Sequence, residues 1–354
     1  PPIYRYGEND FQLFSLPTPL FGQVTGILGR NGIGKSTALK IIGGLIKPNL
    51  GKWKKPPEFK EIINHFKGTE TQKFLEKLDK NEIHLSYKPQ QVDLIPKQFS
   101  GTVKELLNKV DSNANLEKVA QELQLKNFLD TDISKISGGE LQRVAIAASV
   151  LKQGNIFLFD EPTSYLDIKQ RVNISKFIRN LVNPQTSIMV IEHDLIILDF
   201  MTDLINIMYG QEAAYGIVSG LKSSREGINS FLEGFLKEEN IRFRNYPIKF
   251  ARTQDKIKRK PEVLISWDKL SKQLGNFKLE TEEGCLYKNE VVGVLGENGI
   301  GKTSFVKILA GLISLDSGEL DRKLRVAYKP QYLETNSEMI VADFLHEAIS
   351  KYAN

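Results

Sequence analysis

Val24-Thr25-Gly26-Ile27-Leu28-Gly29-Arg30-Asn31-Gly32-Ile33-Gly34-Lys35-Ser36 is an apolar run that ends on glycine and leads into Gly-Lys-Ser. A buried strand that hands the chain to a helix through a glycine-rich turn fits this order, with four residues between Gly29 and Gly34. Glycines in such a turn let backbone N–H groups close around phosphate oxygens, and a helix opening near Lys35 aims its positive end at them. The pattern assigns Lys35 to the β- and γ-phosphates of a nucleotide and the Ser36 hydroxyl to Mg²⁺. Asn31, Gly32, Gly34 and Thr37 complete the phosphate cradle.

The stretch occurs twice. Gly293-Val294-Leu295-Gly296-Glu297-Asn298-Gly299-Ile300-Gly301-Lys302-Thr303 repeats it, Lys302 answering Lys35 at an offset of 267. Asn298, Gly299, Gly301, Lys302, Thr303 and Ser304 are therefore a second set of phosphate ligands, with Thr303 on the metal. Gly44-Leu45-Ile46 returns as Gly311-Leu312-Ile313 at the same offset, whereas Tyr87-Lys88-Pro89-Gln90 returns as Tyr328-Lys329-Pro330-Gln331 at 241. The missing 26 residues are an insertion confined to the first copy, between Gly51 and Tyr87. Phe59, Ile62, Ile63 and Phe66 at helical spacing predict a helix over residues 58–66, and Lys67-Gly68 stops it. Thr69 with Gln72 reads as a capping box opening a second helix that runs to Leu78. The insertion, about 52–82, is thus a helix-loop-helix on the surface.

Asn155-Ile156-Phe157-Leu158-Phe159-Asp160-Glu161 reads as a second buried strand, closed by two acids. Ligands bind at the carboxyl ends of parallel strands. There a first acid holds Mg²⁺ and a second polarises an attacking water, which assigns Asp160 to the metal and Glu161 to the base. His193 follows the apolar run 187–191, so it falls at a third strand end, near the acids.

Length and composition set the frame. At 354 residues the chain exceeds what one hydrophobic core usually fills, and 41% apolar with 26% charged residues is ordinary globular composition. Residues 187–209 are the longest apolar neighbourhood, but Glu192, Asp194, Asp199 and Asp203 within it exclude a membrane span. The opening Pro-Pro-Ile-Tyr-Arg-Tyr has no features of a secretory signal, and a cytoplasmic protein is expected. The one cysteine, Cys285, rules out an internal disulfide framework. A net charge of +5 leaves nucleic acid open as a partner, and residues 242–260 carry eight cations against one acid, Asp255.

Ser137-Gly138-Gly139-Glu140-Leu141-Gln142, set between the phosphate loop and Asp160-Glu161-Pro162-Thr163, resembles the signature of the ATP-binding-cassette family. That resemblance implies an α/β P-loop fold with tandem cassettes, in which Ser137 and Gly139 contact the nucleotide held by the opposite cassette. By position Gln90 matches the family's Q-loop glutamine, a metal ligand and catalytic residue, with Gln331 its counterpart in the second copy. Residues 164–167 match the D-loop and His193 the switch histidine. An aromatic residue near the start is expected to stack on adenine, Tyr6 first and Phe14 second.

Glu140, where most cassettes carry Gln, together with the helix-loop-helix insertion and the segment 209–244, is similar to the class-E, or RNase L inhibitor, branch. This resemblance implies an ATPase that splits ribosomes. Its partners would be the small subunit, its ribosomal RNA, and a release or rescue factor, with the cassettes pairing within one monomeric chain. The rival class is the ATPase subunit of a membrane transporter with fused cassettes. The expected domains are a first cassette at 1–222, a hinge at 223–262, and the opening part of a second cassette at 263–354. Class-E proteins also start with a cysteine-rich domain holding two iron–sulfur clusters, which is expected in a longer protein and not within these residues. Gln90 to Ser137 spans 47 residues, which would place a second signature near 378, past Asn354.

Overall fold

The computed structural model describes residues 1–249, 262–275, 277–321, 324–329 and 339–352, with 347–352 by backbone alone. The chain divides into two compact units, residues 1–254 and 255–354. The first is built on eight strands: β1 (Tyr4–Arg5), β2 (Gln12–Leu13), β3 (Val24–Gly29), β4 (Leu85–Lys88), β5 (Ile156–Asp160), β6 (Ser187–Ile191), β7 (Leu204–Gln211) and β8 (Tyr215–Ser223). They form one sheet in the order β1-β2-β8-β7-β3-β6-β5-β4. Five neighbours, β7, β3, β6, β5 and β4, run parallel, with Thr25 beside Leu204, Val24 beside Ile188, and Phe157 beside Ile188.

Continuous apolar sequence explains the centre of this sheet. Every residue of β3, β5 and β6 is buried, as expected for parallel strands covered by helices on both faces. Alternation then sorts the side chains of β5 between two cores. Ile156 and Leu158 join Ile27, Leu39, Ile41, Ile42 and Met189 on one face. Phe157 and Phe159 join Ile188, Val190 and the helix residues Val144, Ile146 and Ala147 on the other.

The insertion folds as two helices, Phe59–His65 and Glu70–Asp79. Thr69 Oγ1 accepts from the Gln72 N–H at 3.3 Å as a capping box requires, but Gln72 Oε1 accepts from the Gly68 N–H at 2.7 Å and closes the box one residue early. Ile62, Phe74 and Leu75 are buried in the cluster that contains Leu39, Ile41 and Ile42. The insertion is therefore packed into the first core.

After β8 comes a helix, Ser224–Glu233, ended by Gly234 at φ +74, and a short hairpin of Phe235–Leu236 with Ile241–Arg242. Ile228, Phe231, Leu236 and Phe243 pack with Leu28, Leu198, Ile205 and Ile207, so residues up to about 244 belong structurally to the first unit. Arg244 is committed there: its guanidinium donates to the carbonyl oxygens of Leu232 and Tyr246 at 2.6 and 2.8 Å. Arg252, Lys256, Lys258, Arg259 and Lys260 of the basic run lie outside the described residues. No helix among the described residues is long and apolar enough to cross a membrane.

In the second unit, Val263–Trp267 pairs with Gly284–Tyr287, and Leu270–Leu274 with Phe277–Thr281. Leu270, Leu279 and Ile308 form a small core under the helix Lys302–Leu309. The repeat predicts a strand before that helix, yet Val291, Val292, Val294 and Leu295 are exposed and outside any strand. The equivalent stretch of the first unit, β3, is by contrast paired on both sides, by β6 and β7. Ile27→Ala should accordingly cost about 2–5 kcal/mol in urea unfolding, whereas Val294→Ala in the same chain should stay within about 0.5 kcal/mol.

Candidate functional site

The turn after β3 needs its glycines for conformation and for space. Gly32 and Gly34 have φ of 73 and 91, and Gly34 caps the helix Lys35–Ile42. A Cβ at Gly34 would collide with the Phe11 ring. The Lys35 side chain folds back over the turn, donating to the carbonyl oxygens of Gly29 and Arg30 at 2.8 and 2.7 Å and approaching Asn31 Oδ1 at 3.4 Å. Burial pushes the Lys35 ammonium down to about 8, against an upward pull from Glu161 and Asp160. The second loop is built alike: Gly301 has φ 94, and Lys302 Nζ donates to Gly296 and Glu297 oxygens at 2.7 and 2.5 Å.

Asp160 closes β5 and is buried, and its Oδ2 accepts from Ser36 Oγ at 3.0 Å and from Tyr87 Oη at 3.3 Å. Burial raises its pKa, with the Ser36 hydrogen bond opposing. Glu161, one residue on, has φ +47, which swings its side chain out of the strand. Three groups hold the carboxylate: His193 Nε2 at 3.2 Å, Gln90 Nε2 at 2.8 Å and Ser164 Oγ at 3.1 Å. The His193 hydrogen bond leads in keeping the Glu161 pKa below the usual carboxylate range, although burial acts the other way.

These groups share one open cavity of about 790 Å³, lined by Tyr6, Asp10, Phe11, Asn31, Gly32, Gly34, Lys35, Ser36, Thr37, Gln90, Asp160, Glu161, His193 and Ala213. A family model described as ABC transporter matches residues 20–164 and 279–350. The chain belongs to the ABC transporter family. An ABC transporter ATP-binding protein of Methanocaldococcus jannaschii is 50% identical over 97% of this chain, which spans 57% of that relative's length. A crystal structure of archaeal ribosome recycling factor aABCE1 with ribosomal stalk protein aP1 superposes with a TM-score of 0.88 at 47% identity, covering 100% of this chain and 68% of the other. A model of ribosome-bound archaeal Pelota and ABCE1 gives a TM-score of 0.93 at 46% identity, covering 100% of this chain and 59% of the other. The class-E resemblance thus holds along the whole chain.

Within the ABC cassette, the structure gathers every first-copy site residue predicted from the sequence except Ser137, Gly139 and the second aromatic choice, Phe14. Ser137 and Gly139 open another helix, Gly138–Leu151, and do not line the cavity. Glu140 closes their capping box: its Oε2 accepts from Ser137 N–H at 2.8 Å and from Ser137 Oγ at 2.7 Å, which gives the acid a local role where most cassettes carry Gln. Asn298, Gly299, Gly301, Lys302, Thr303 and Ser304 sit on the corresponding turn and helix start of the second unit, and Gln331 lies outside the described residues.

Of the two aromatic candidates, Tyr6 lines the cavity, with its Oη 3.1 Å from Thr37 Oγ1. Phe14 lines a different hollow, edge-on to Tyr215. Sequence reasoning missed Phe11, although the repeat carries the signal: Phe11-Gln12-Leu13 recurs as Phe277-Lys278-Leu279, and Phe277 meets Gly301 as Phe11 meets Gly34.

Phosphate oxygens favour the charged form of Lys35, whose pKa near 8 leaves it partly neutral in mildly alkaline solution. Nucleotide binding at about pH 8.5 should therefore take up protons. Titration calorimetry in two buffers of different ionisation heat should reveal the uptake, and Lys35→Gln should remove it. Identical heats with the parent protein would mean that Lys35 is fully charged before nucleotide arrives.

Proposed function

We propose that this chain is part of a twin-cassette ATPase that hydrolyses ATP and couples cassette closure to splitting ribosomes into subunits in the cytoplasm. One arrangement carries the catalytic half of this reading: Glu161, gripped by His193, Gln90 and Ser164, stands beside Asp160 and Ser36 in the cavity of the phosphate loop. ATP enters with adenine against Tyr6 and its phosphates in the Lys35 loop. Lys35 exchanges the carbonyl oxygens of Gly29 and Arg30 for phosphate oxygens and neutralises charge that develops during transfer. Glu161, held as a carboxylate, accepts a hydrogen bond from water and aims it at the γ-phosphorus, while His193 and Gln90 fix its rotamer.

Ser36 Oγ, Asp160 and the Gln90 amide oxygen are hard oxygen donors suited to Mg²⁺, and their short count fits an ion that arrives with nucleotide and keeps some water. Such an ion would offset phosphate charge. Among the described residues no cluster of three His, Cys, Asp or Glu forms an all-protein cage. Thr303 and Gln331 take the equivalent roles in the second cassette. Ser137 and Gly139 serve as the signature residues of the first cassette in this reading.

Similarity to an archaeal ribosome recycling factor supports the coupling half. We assign the ribosomal contact to the insertion's entry, where Arg5, Lys52, Lys54 and Lys55, against Glu8, Glu58 and Glu61, border a hollow of about 810 Å³ and Lys54 lies 4.8 Å from the Trp53 ring. Ribosomal RNA of the small subunit is the partner there. A release or rescue factor, and iron–sulfur clusters in a further domain, belong to the whole protein in this reading.

In the full-length protein, Glu161→Gln should slow hydrolysis at this site by about 10²–10⁴-fold while ATP still binds. Unchanged single-turnover hydrolysis would place the base elsewhere. Lys54→Glu with Lys55→Glu should weaken small-subunit binding and flatten its dependence on log salt by roughly 0.7–0.9 per lost phosphate contact. An unaltered affinity and slope would make these lysines plain solvated surface. Arg244 is unsuited to the same test, because its guanidinium is tied to backbone carbonyls.

A further inference from the structure

Lys88 is a charged side chain with 0% exposure, at the end of β4 and outside the cavity lining. Stripping the hydration from an ammonium is costly, and packing alone would be met by an apolar residue of similar length. Its Nζ points beneath the two acids, donating to the carbonyl oxygen of Asp160 at 2.9 Å and to that of Glu161 at 3.2 Å. The Glu161 carbonyl also accepts from Gln142 Nε2 at 2.7 Å, and Gln142 is itself fully buried on the helix that Ser137 opens.

Both donors thus converge on the backbone of a residue held at φ +47, a conformation that a side-chain-bearing residue adopts only when its surroundings enforce it. The Glu161 N–H is fixed as well, on the Ile191 carbonyl at 2.9 Å. The pair Tyr87-Lys88 recurs as Tyr328-Lys329, downstream of the second phosphate loop.

We propose that Lys88 is a positioning residue for hydrolysis. By clamping the carbonyl oxygens of Asp160 and Glu161 it fixes the left-handed turn that aims the Glu161 carboxylate, and through the carbonyl it shares with Gln142 it ties that turn to the signature helix. The inference rests on Glu161 as the base.

Lys88→Met keeps length and apolar volume but removes both hydrogen bonds. In the full-length protein it should leave ATP affinity within about threefold of the parent. Single-turnover hydrolysis at the first site should fall roughly 10–10²-fold, the scale of a misaimed catalytic group. In a Glu161→Gln background the same change should slow hydrolysis no further, because a clamp has nothing left to aim. Gln142→Met, which removes the other donor, should shift the rate in the same direction with binding retained, and it carries the test if Lys88→Met fails to fold.

The clamp is overturned if affinity and rate fall together, if Lys88→Met slows the Glu161→Gln protein by the same factor as the parent, or if Gln142→Met hydrolyses at the parental rate. If Glu161→Gln alone leaves hydrolysis unchanged, the assignment of the base fails before the question of its positioning arises.

Discussion

Parallel pairing of β3 with β6, and of β6 with β5, brings three strand ends to one edge of the sheet, where Gly29, Ile191 and Asp160 release the chain. Each strand is hydrogen-bonded on both sides, so none of these exits can shift without breaking a ladder. Gly29 then opens the phosphate turn, Asp160 passes the chain to Glu161, and Ile191 leads to His193 two residues later. The second unit supplies the contrast. There the equivalent apolar stretch, residues 291–295, is exposed and outside any strand, while the turn and helix after it still form. Local sequence suffices for the turn, and long-range pairing is required for the strand.

Two adjacent carboxylates acquire different characters from that edge. Asp160 remains inside the sheet, where burial favours its neutral form, and Ser36 and Tyr87 point hydroxyls at it. Glu161 turns outward through a left-handed residue and meets donors that keep it ionised. The separation of the proposed metal ligand from the proposed base follows from one backbone angle as much as from side-chain identity.

The phosphate turn, the acids and His193 were legible in the sequence because each depends on short-range order: a fixed glycine spacing, or a polar residue ending an apolar run. The insertion was equally legible from helical spacing, with helix ends misplaced by one residue, because caps such as Gln72 on the Gly68 N–H depend on rotamers that no sequence displays. Lys88 and Gln142 were missed for a different reason. Their roles come from sheet order, which sets β4 beside β5 and lays the signature helix across them. A lysine in a four-residue strand looks like any solvated lysine until its neighbour is known. Phe11, missed as well, was recoverable from the repeat, where Phe277 holds the equivalent place.

The insertion's packing has a mechanical consequence. Ile62, Phe74 and Leu75 share an apolar cluster with Leu39, Ile41 and Ile42 of the helix that begins at Lys35. Sliding one past the other would open voids at a cost of about 24 cal/mol for each Å³. The insertion and the phosphate loop therefore move as one stiff piece. A load applied to the insertion's outer surface is in series with the nucleotide's phosphates, with no slack joint between them to absorb the stroke.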